Sequence, residues 1–293
     1  MSVADELLKK LKAPNSDDPL LSVDDSKLST PDFRYSFQVR NGIPVFLSTP
    51  VASDRNFNYQ EHYVKDAEAF DYSKELQDPE EKIEVGRLRQ LILSEVPQDA
   101  EWILDAGCGS GWLAAAMIPK NRKVISMDIS YRNPEKAVGR TPSPNHFAVA
   151  ADVLALPFKN DSLDCIVASE IIEHIVDPEL FIRGLMAALK PGGKLIITTP
   201  YNENIRYSMC IHCNQLTPHH AHLHTFTEQS IKNLVNVPAT KINTYVFNSK
   251  LVFKLKLGRL FSWLPFSVWR FIDRLFLLVT GKKAYRLMLT IVK

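Results

Sequence analysis

Cysteine is scarce in this chain: four residues in 293, too few and too scattered for a disulfide scaffold. Cys108 and Cys165 stand singly inside apolar stretches that read as core, which suits a reducing cytosol. No run approaches the roughly 20 apolar residues that span a bilayer. The opening MSVADELLKKLKA mixes Asp and Glu with Lys and lacks the apolar stretch of a secretory signal. There is no internal repeat, and the net charge is only +2. Hydrophobic residues at 45% and charged residues at 23% exclude wholesale disorder, collagen-like repetition and a polytopic membrane protein. The length fits one large domain, or one domain with appendages.

Charge is unevenly placed. Residues 250–293 hold ten Lys/Arg against one acid, Asp273, so +9 sits in the tail and, with +2 overall, −7 in the remainder. Residues 14–32 combine Pro, Ser and Asp with little periodicity and read as a linker after a short amphipathic helix. Alternation on either side of Asn41-Gly42 predicts a hairpin, and apolar residues at helical spacing behind Pro79 predict a helix over 79–96. Five short apolar runs follow, at 102–106, 123–127, 146–150, 164–168 and 194–199. Their near-continuous hydrophobicity, with crossover-length segments between them, is what a parallel sheet covered on both faces requires. The fold class is therefore α/β, doubly wound. Two further strands are expected at 242–247 and 285–293, with the basic apolar segment inserted between them.

The strongest chemical signal is Asp105-Ala106-Gly107-Cys108-Gly109-Ser110-Gly111, between the first of these strands and a helix starting near Trp112. Ligands of doubly wound sheets bind outside the carboxyl ends of the strands, where glycine lets the backbone approach them. A dinucleotide fingerprint needs a third glycine at position 112, which is Trp112. Asp105 would also set a carboxylate beside a pyrophosphate. A cationic ligand suits the loop better, and S-adenosylmethionine (SAM) carries a sulfonium and an ammonium group and no phosphate.

The run D-A-G-C-G-S-G resembles the first motif of class I SAM-dependent methyltransferases, particularly the type 11 and ubiquinone-biosynthesis-like members. The likeness continues through Asp128, Ala151-Asp152-Val153, Leu156-Pro157-Phe158, Ser169 to His174 and Leu189 to Lys194, covering roughly residues 80–200. It implies a seven-stranded, mostly parallel sheet and a SAM site of Asp105, Gly107, Gly109, Gly111, Asp128, Asp152 and Val153. Asp128 would accept the ribose hydroxyls, and Asp152 and Val153 would lie against adenine; either Asp could instead cap a helix. The implied organisation is a flexible segment over 1–32, a hairpin and lid-like extension over 33–78, and the SAM-binding domain over 79–293 with an insertion at 250–284. Residues 41–47 resemble the last strand of a zinc-ribbon segment in some relatives, but no cysteine precedes Cys108, so only the shape is kept.

Methyl transfer from a sulfonium asks little of side chains beyond alignment, although a hydroxyl or protonated amine acceptor needs a base. His174 and Glu170 are the candidates near the end of the fourth strand, with Glu173 beside them; His174 could equally be packed or capping. Cys210 and Cys213, followed by His219 and His222, supply zinc-type ligands at a shorter gap than usual. A polar acceptor loop is the alternative. The tail over 255–279 combines aromatics with basic flanks, which suits a bilayer surface, or else a sheet cap or a homodimer contact. Nucleic acid fits poorly with an acidic body. The acceptor is expected to be a small or lipid-linked molecule, reached by a cytoplasmic protein peripheral to the membrane. The competing classes are a degenerate SAM-fold scaffold and a nucleotide-cofactor oxidoreductase.

Overall fold

The computed structural model describes residues 3–47, 59–70, 76–211 and 214–293. Among them thirteen strands occur: β1 (Leu21–Asp24), β2 (Lys27–Ser29), β3 (Ser36–Arg40), β4 (Ile43–Val45), β5 (Trp102–Ala106), β6 (Lys123–Asp128), β7 (His146–Ala150), β8 (Leu163–Ser169), β9 (Leu189–Pro200), β10 (Tyr207–Met209), β11 (Leu216–Pro218), β12 (Lys241–Ser249) and β13 (Ala284–Val292). The helices are α1 (Asp5–Leu8), α2 (Tyr59–Ala69), α3 (Pro79–Glu95), α4 (Trp112–Met117), α5 (Arg132–Arg140), α6 (Pro178–Ala188), α7 (Glu228–Lys232), α8 (Lys250–Lys254), α9 (Leu257–Phe261) and α10 (Phe266–Val279). All seven strands expected from residue 102 onward are present, and α3 begins at Pro79 with Asp78 accepting from the backbone N–H groups of Glu80 and Glu81.

The strands form one sheet in the order β1-β2-β3-β4-β7-β6-β5-β8-β9-β13-β12, with β10 and β11 paired separately. The run β7-β6-β5-β8-β9 is parallel, and β13 enters antiparallel between β9 and β12. Side chains alternate across β5, Leu104 joining one buried cluster and Ile103 the other, so each face has its own core. That two-sided burial is why these runs carry no polar alternation.

The sheet is wider than the expected seven strands, because β1–β4 add four at the edge beside β7. The linker expected over 14–32 is corrected accordingly. Leu7, Leu11, Leu20 and Leu28 are all buried, and Lys12 N–H donates to the Pro157 carbonyl while Lys159 N–H donates to that of Lys10. Widely spaced leucines hold this segment, a pattern that windows of helical or strand period pass over. The hairpin at 41–42 forms as expected. Asn41 and Gly42 have φ of 52° and 80°, the left-handed pair that matches a two-residue turn to strand twist.

The inserted segment between β12 and β13 folds back as α8–α10. Arg87 on α3 donates to the carbonyls of Phe261, Ser262 and Leu264 at 3.0–3.1 Å. Asp273 accepts from the Asn248 and Ser249 N–H groups at 3.0 and 2.7 Å, and Trp269 is buried. Among the described residues no helix is long and apolar enough to cross a membrane.

Candidate active site

The order reversal on either side of β5 opens a crevice at the carboxyl ends of β5 and its neighbours, where doubly wound folds bind ligands. A cavity of ≈ 400 Å³ lies there, lined by Gly107 to Ser110, Asp128, Asp152, Val153, Glu170 and His174, with Tyr59, Tyr63 and Asp66 of α2 on its lid side. The glycine loop is fastened to β6 by Gly107 and Cys108 N–H groups donating to the Met127 carbonyl, both at 2.9 Å. Its glycines do different work. At Gly111 a Cβ would meet that of Ala137 on α5 at 2.6 Å, so this glycine allows two elements to touch. At Gly109 a Cβ would meet nothing within 4 Å, and φ is +46°, so the backbone here borders open space.

Asp128 faces that opening. Its carboxylate accepts from Gly109 N–H at 3.2 Å, Ser130 N–H at 3.0 Å and Asn133 Nδ2 at 3.1 Å. Burial raises its pKa, and those donors pull it back down. Asp105 is deeper, only 2% exposed, and its Oδ2 has no hydrogen-bond partner among the described residues. Burial, reinforced by the Asp128 charge, pushes its pKa up to about 7. A buried, unpaired acid beneath a glycine turn is what a cationic ligand would compensate. Both observations fit SAM, whose ribose, sulfonium and ammonium groups Asp128, Gly109 and Asp105 would hold.

Asp152 accepts from Leu154 N–H at 2.9 Å, from Gln60 Nε2 at 3.1 Å and from the Tyr59 hydroxyl. Tyr59 and Gln60 therefore tie α2 across the cavity. Glu170 adopts φ of 57° and pairs through Oε2 with Arg286 Nε at 3.0 Å, while its Oε1 has no hydrogen-bond partner among the described residues. Burial raises the Glu170 pKa, and Arg286 opposes the rise. Arg286, on β13, was missed because it sits more than 100 residues from the motifs it serves.

His174 stands between this cavity and a wider groove of ≈ 2080 Å³ that also reaches Glu203, His219, His220 and His222. Burial, aided by His222, lowers its pKa to about 4, so it is neutral at pH 7 and available as an acceptor of a proton. Glu173 is 1% exposed, accepts from Thr199 Oγ1 at 2.9 Å, and has its pKa raised well above the usual range by burial and then by Glu170.

The expected zinc set is only partly placed. Cys213 lies outside the described residues, and His219 Nε2 is 2.5 Å from Ser208 Oγ. His222 instead comes together with His174 and Glu173.

Comparison with known proteins agrees with this geometry. A family model described as a methyltransferase domain matches residues 80–236, over half of the chain. The ubiquinone biosynthesis O-methyltransferase of Idiomarina loihiensis is 30% identical over 108 residues, which is 36% of this chain and 44% of that protein. The chain spans less than half the length of the curated relatives it matches. The 1,6-didemethyltoxoflavin-N1-methyltransferase of Burkholderia thailandensis, solved with S-adenosylhomocysteine, superposes with a TM-score of 0.51 at 14% identity, covering 94% of this chain and 98% of that one. The cyclase SpnF also superposes with a TM-score of 0.51, at 16% identity, over 71% of this chain and 80% of that one. Such likenesses establish the fold, which evidently serves more than one reaction. The matched domain, the strand order and the glycine loop together place the chain in the class I SAM-dependent methyltransferase family.

Proposed function

We propose that this protein transfers a methyl group from SAM to an oxygen of a lipid-linked or otherwise membrane-associated small molecule. The observation that carries the transfer is the cavity lined by the open glycine backbone at Gly109 and the buried Asp128 carboxylate, with Asp105 buried at the end of β5 just before the glycine turn. Bound SAM supplies an activated methyl group. The chain's own contribution is to hold the cofactor, to exclude water beneath α2, and to present neutral His174 where an acceptor entering from the groove would give up its proton. Glu170, engaged by Arg286, is better suited to fixing the cavity wall than to taking that proton. An oxidoreductase reading is opposed by Trp112 in place of a third glycine and by Asp105.

The acceptor class rests on the tail. Trp263, Phe271, Leu278 and Val279 are between 63% and 85% exposed, while Trp269 and Leu277 face inward. One stripe of α10 thus closes the core and another presents apolar side chains, in a segment that also carries exposed Lys254, Lys256, Arg274 and Lys283, while Lys282 pairs with Glu228. Exposed apolar side chains in a cationic segment complement an anionic bilayer. The test is incubation with methyl-labelled SAM and two fractions of a cell extract. Label entering the organic-phase lipids is expected. Label confined to water-soluble products overturns the lipid-linked acceptor while leaving methyl transfer standing.

A further inference from the structure

Beside the cofactor cavity, Glu173, His174 and His222 bring one carboxylate oxygen and two ring nitrogens within 4.8 Å of one another. Their hydrogen bonds leave these atoms available. His174 Nδ1 lies 3.3 Å from the Ala221 carbonyl, which can only accept, so Nδ1 carries the proton and Nε2 presents a lone pair. His222 Nδ1 lies 2.5 Å from Glu203 Oε2, which sets the same tautomer when that carboxylate accepts. Glu173 uses Oε2 to accept from Thr199, and its Oε1 stands 4.0 Å from His174 Nε2. That separation is too long for a hydrogen bond. A tetrahedral ion at about 2.0–2.2 Å from each donor would draw them to about 3.3–3.6 Å apart, a closure of at most about 1.5 Å between side chains already oriented from behind. Imidazoles donating from their far nitrogens to a carbonyl and a carboxylate are the usual outer support of a metal site.

We propose that Glu173, His174 and His222 form a divalent metal site, with zinc as the ion, whose open position faces the acceptor groove. Two imidazoles and one carboxylate are a zinc donor set with room for a fourth, exchangeable oxygen. All three residues line the groove, and His174 also lines the cofactor cavity, so an oxygen bound there stands at their junction. This inference rests on the methyl-transfer reading for its purpose. With the ion bound, the His174 Nε2 lone pair is a ligand and no longer the base, and a hydroxyl of the acceptor bound to the ion loses its proton more readily, the proton leaving to solvent. The oxygen's electron pair then forms the bond to the methyl carbon, and the carbon–sulfur pair stays on sulfur, giving S-adenosylhomocysteine. The set shares only His222 with the cysteine-based one expected from spacing.

The experiment uses the full chain stripped with chelator and titrated with zinc chloride, followed by elemental analysis after gel filtration and by X-ray absorption at the zinc edge. One equivalent per chain with a first shell of nitrogen and oxygen only is expected. His222→Ala and Glu173→Gln should lose that equivalent, and Glu203→Gln should weaken it about 10–100-fold. The double variant Cys210→Ser, Cys213→Ser should keep it. A sulfur shell at about 2.3 Å, or loss of zinc in the cysteine variant with retention in Glu173→Gln, would overturn the assignment. So would the absence of stoichiometric zinc in wild-type protein that still binds SAM. Because zinc is read without SAM turnover, failure here and failure of the methyltransferase reading are separable.

Discussion

At the scale of single residues the cofactor cavity turns on two buried acids with different duties. Asp105 has a folded pKa of about 7 against roughly 3.9 in an unfolded chain. The fold therefore favours its protonated form. The associated stability is fully present near pH 4 and is lost as pH rises through 7, at up to about 1.4 kcal/mol per pH unit for one group. Asp105→Asn should leave stability unchanged near pH 4 and raise it at pH 8, as read by denaturant unfolding without ligand. A cation selects the ionised acid, so SAM affinity should climb with pH toward 7 and then level off. In Asp105→Asn that dependence should vanish and binding should weaken. A pH-independent affinity in wild type would remove Asp105 from the site. The glycines separate in the same way. Gly111→Ala forces a methyl to within 2.6 Å of Ala137 and should destabilise the fold, whereas the Cβ of Gly109→Ala meets no neighbour, so beyond the strain of its positive φ this variant should chiefly weaken cofactor binding. The acids and glycines of this loop were legible in sequence because a strand, a turn and a helix stand in immediate succession there. The support from Tyr59, Gln60 and Arg286 was not, since it comes from elements that only the tertiary fold brings near.

Among the elements, α10 presents two faces with opposite predictions. Trp269 is buried beneath the Arg87 guanidinium, 5.1 Å from its ring centroid, so Trp269→Ala should cost about 3–5 kcal/mol in an unfolding measurement. Phe271 is 63% exposed, and Phe271→Glu should move stability by no more than about 0.5 kcal/mol. In co-sedimentation with anionic vesicles the order reverses. Phe271→Glu combined with Leu278→Glu should release the protein, and binding should weaken with salt because each nearby cation contributes about 1 kcal/mol. Retention of the double variant on vesicles would return this stripe to another role. The aromatic and basic composition of the segment was readable from the chain, but not which aromatic faced inward, because a helix this apolar offers several stripes of equal hydrophobicity. Trp269, the more conspicuous residue, is core.

For the whole molecule, alternating apolar runs and helical segments were enough to recover the parallel sheet, the two last strands and the segment inserted between them, but not that β13 runs antiparallel. The reason is physical: strands buried on both faces must be almost wholly apolar, and little else in a chain of this composition is. What escaped was the rest of the N-terminal edge. The β3–β4 hairpin was legible at Asn41-Gly42, but β1 and β2, with burial at isolated leucines and exposed residues between, have no period to detect, and the place of all four strands beside β7 depends on a sheet edge formed elsewhere. The zinc-type cluster escaped for a similar reason, since Glu173 and His174 meet His222 across almost 50 residues.

Titration calorimetry with SAM, S-adenosylhomocysteine and NAD tests the central claim, that the β5–α4 crevice is a SAM site, most directly. Both adenosyl ligands should bind at one site per chain and NAD should not. Asp128→Ala should weaken both by about 1.5–3 kcal/mol per charged hydrogen bond lost, less what water restores. Heat from NAD alone, or unchanged SAM affinity in folded Asp128→Ala, would contradict the account.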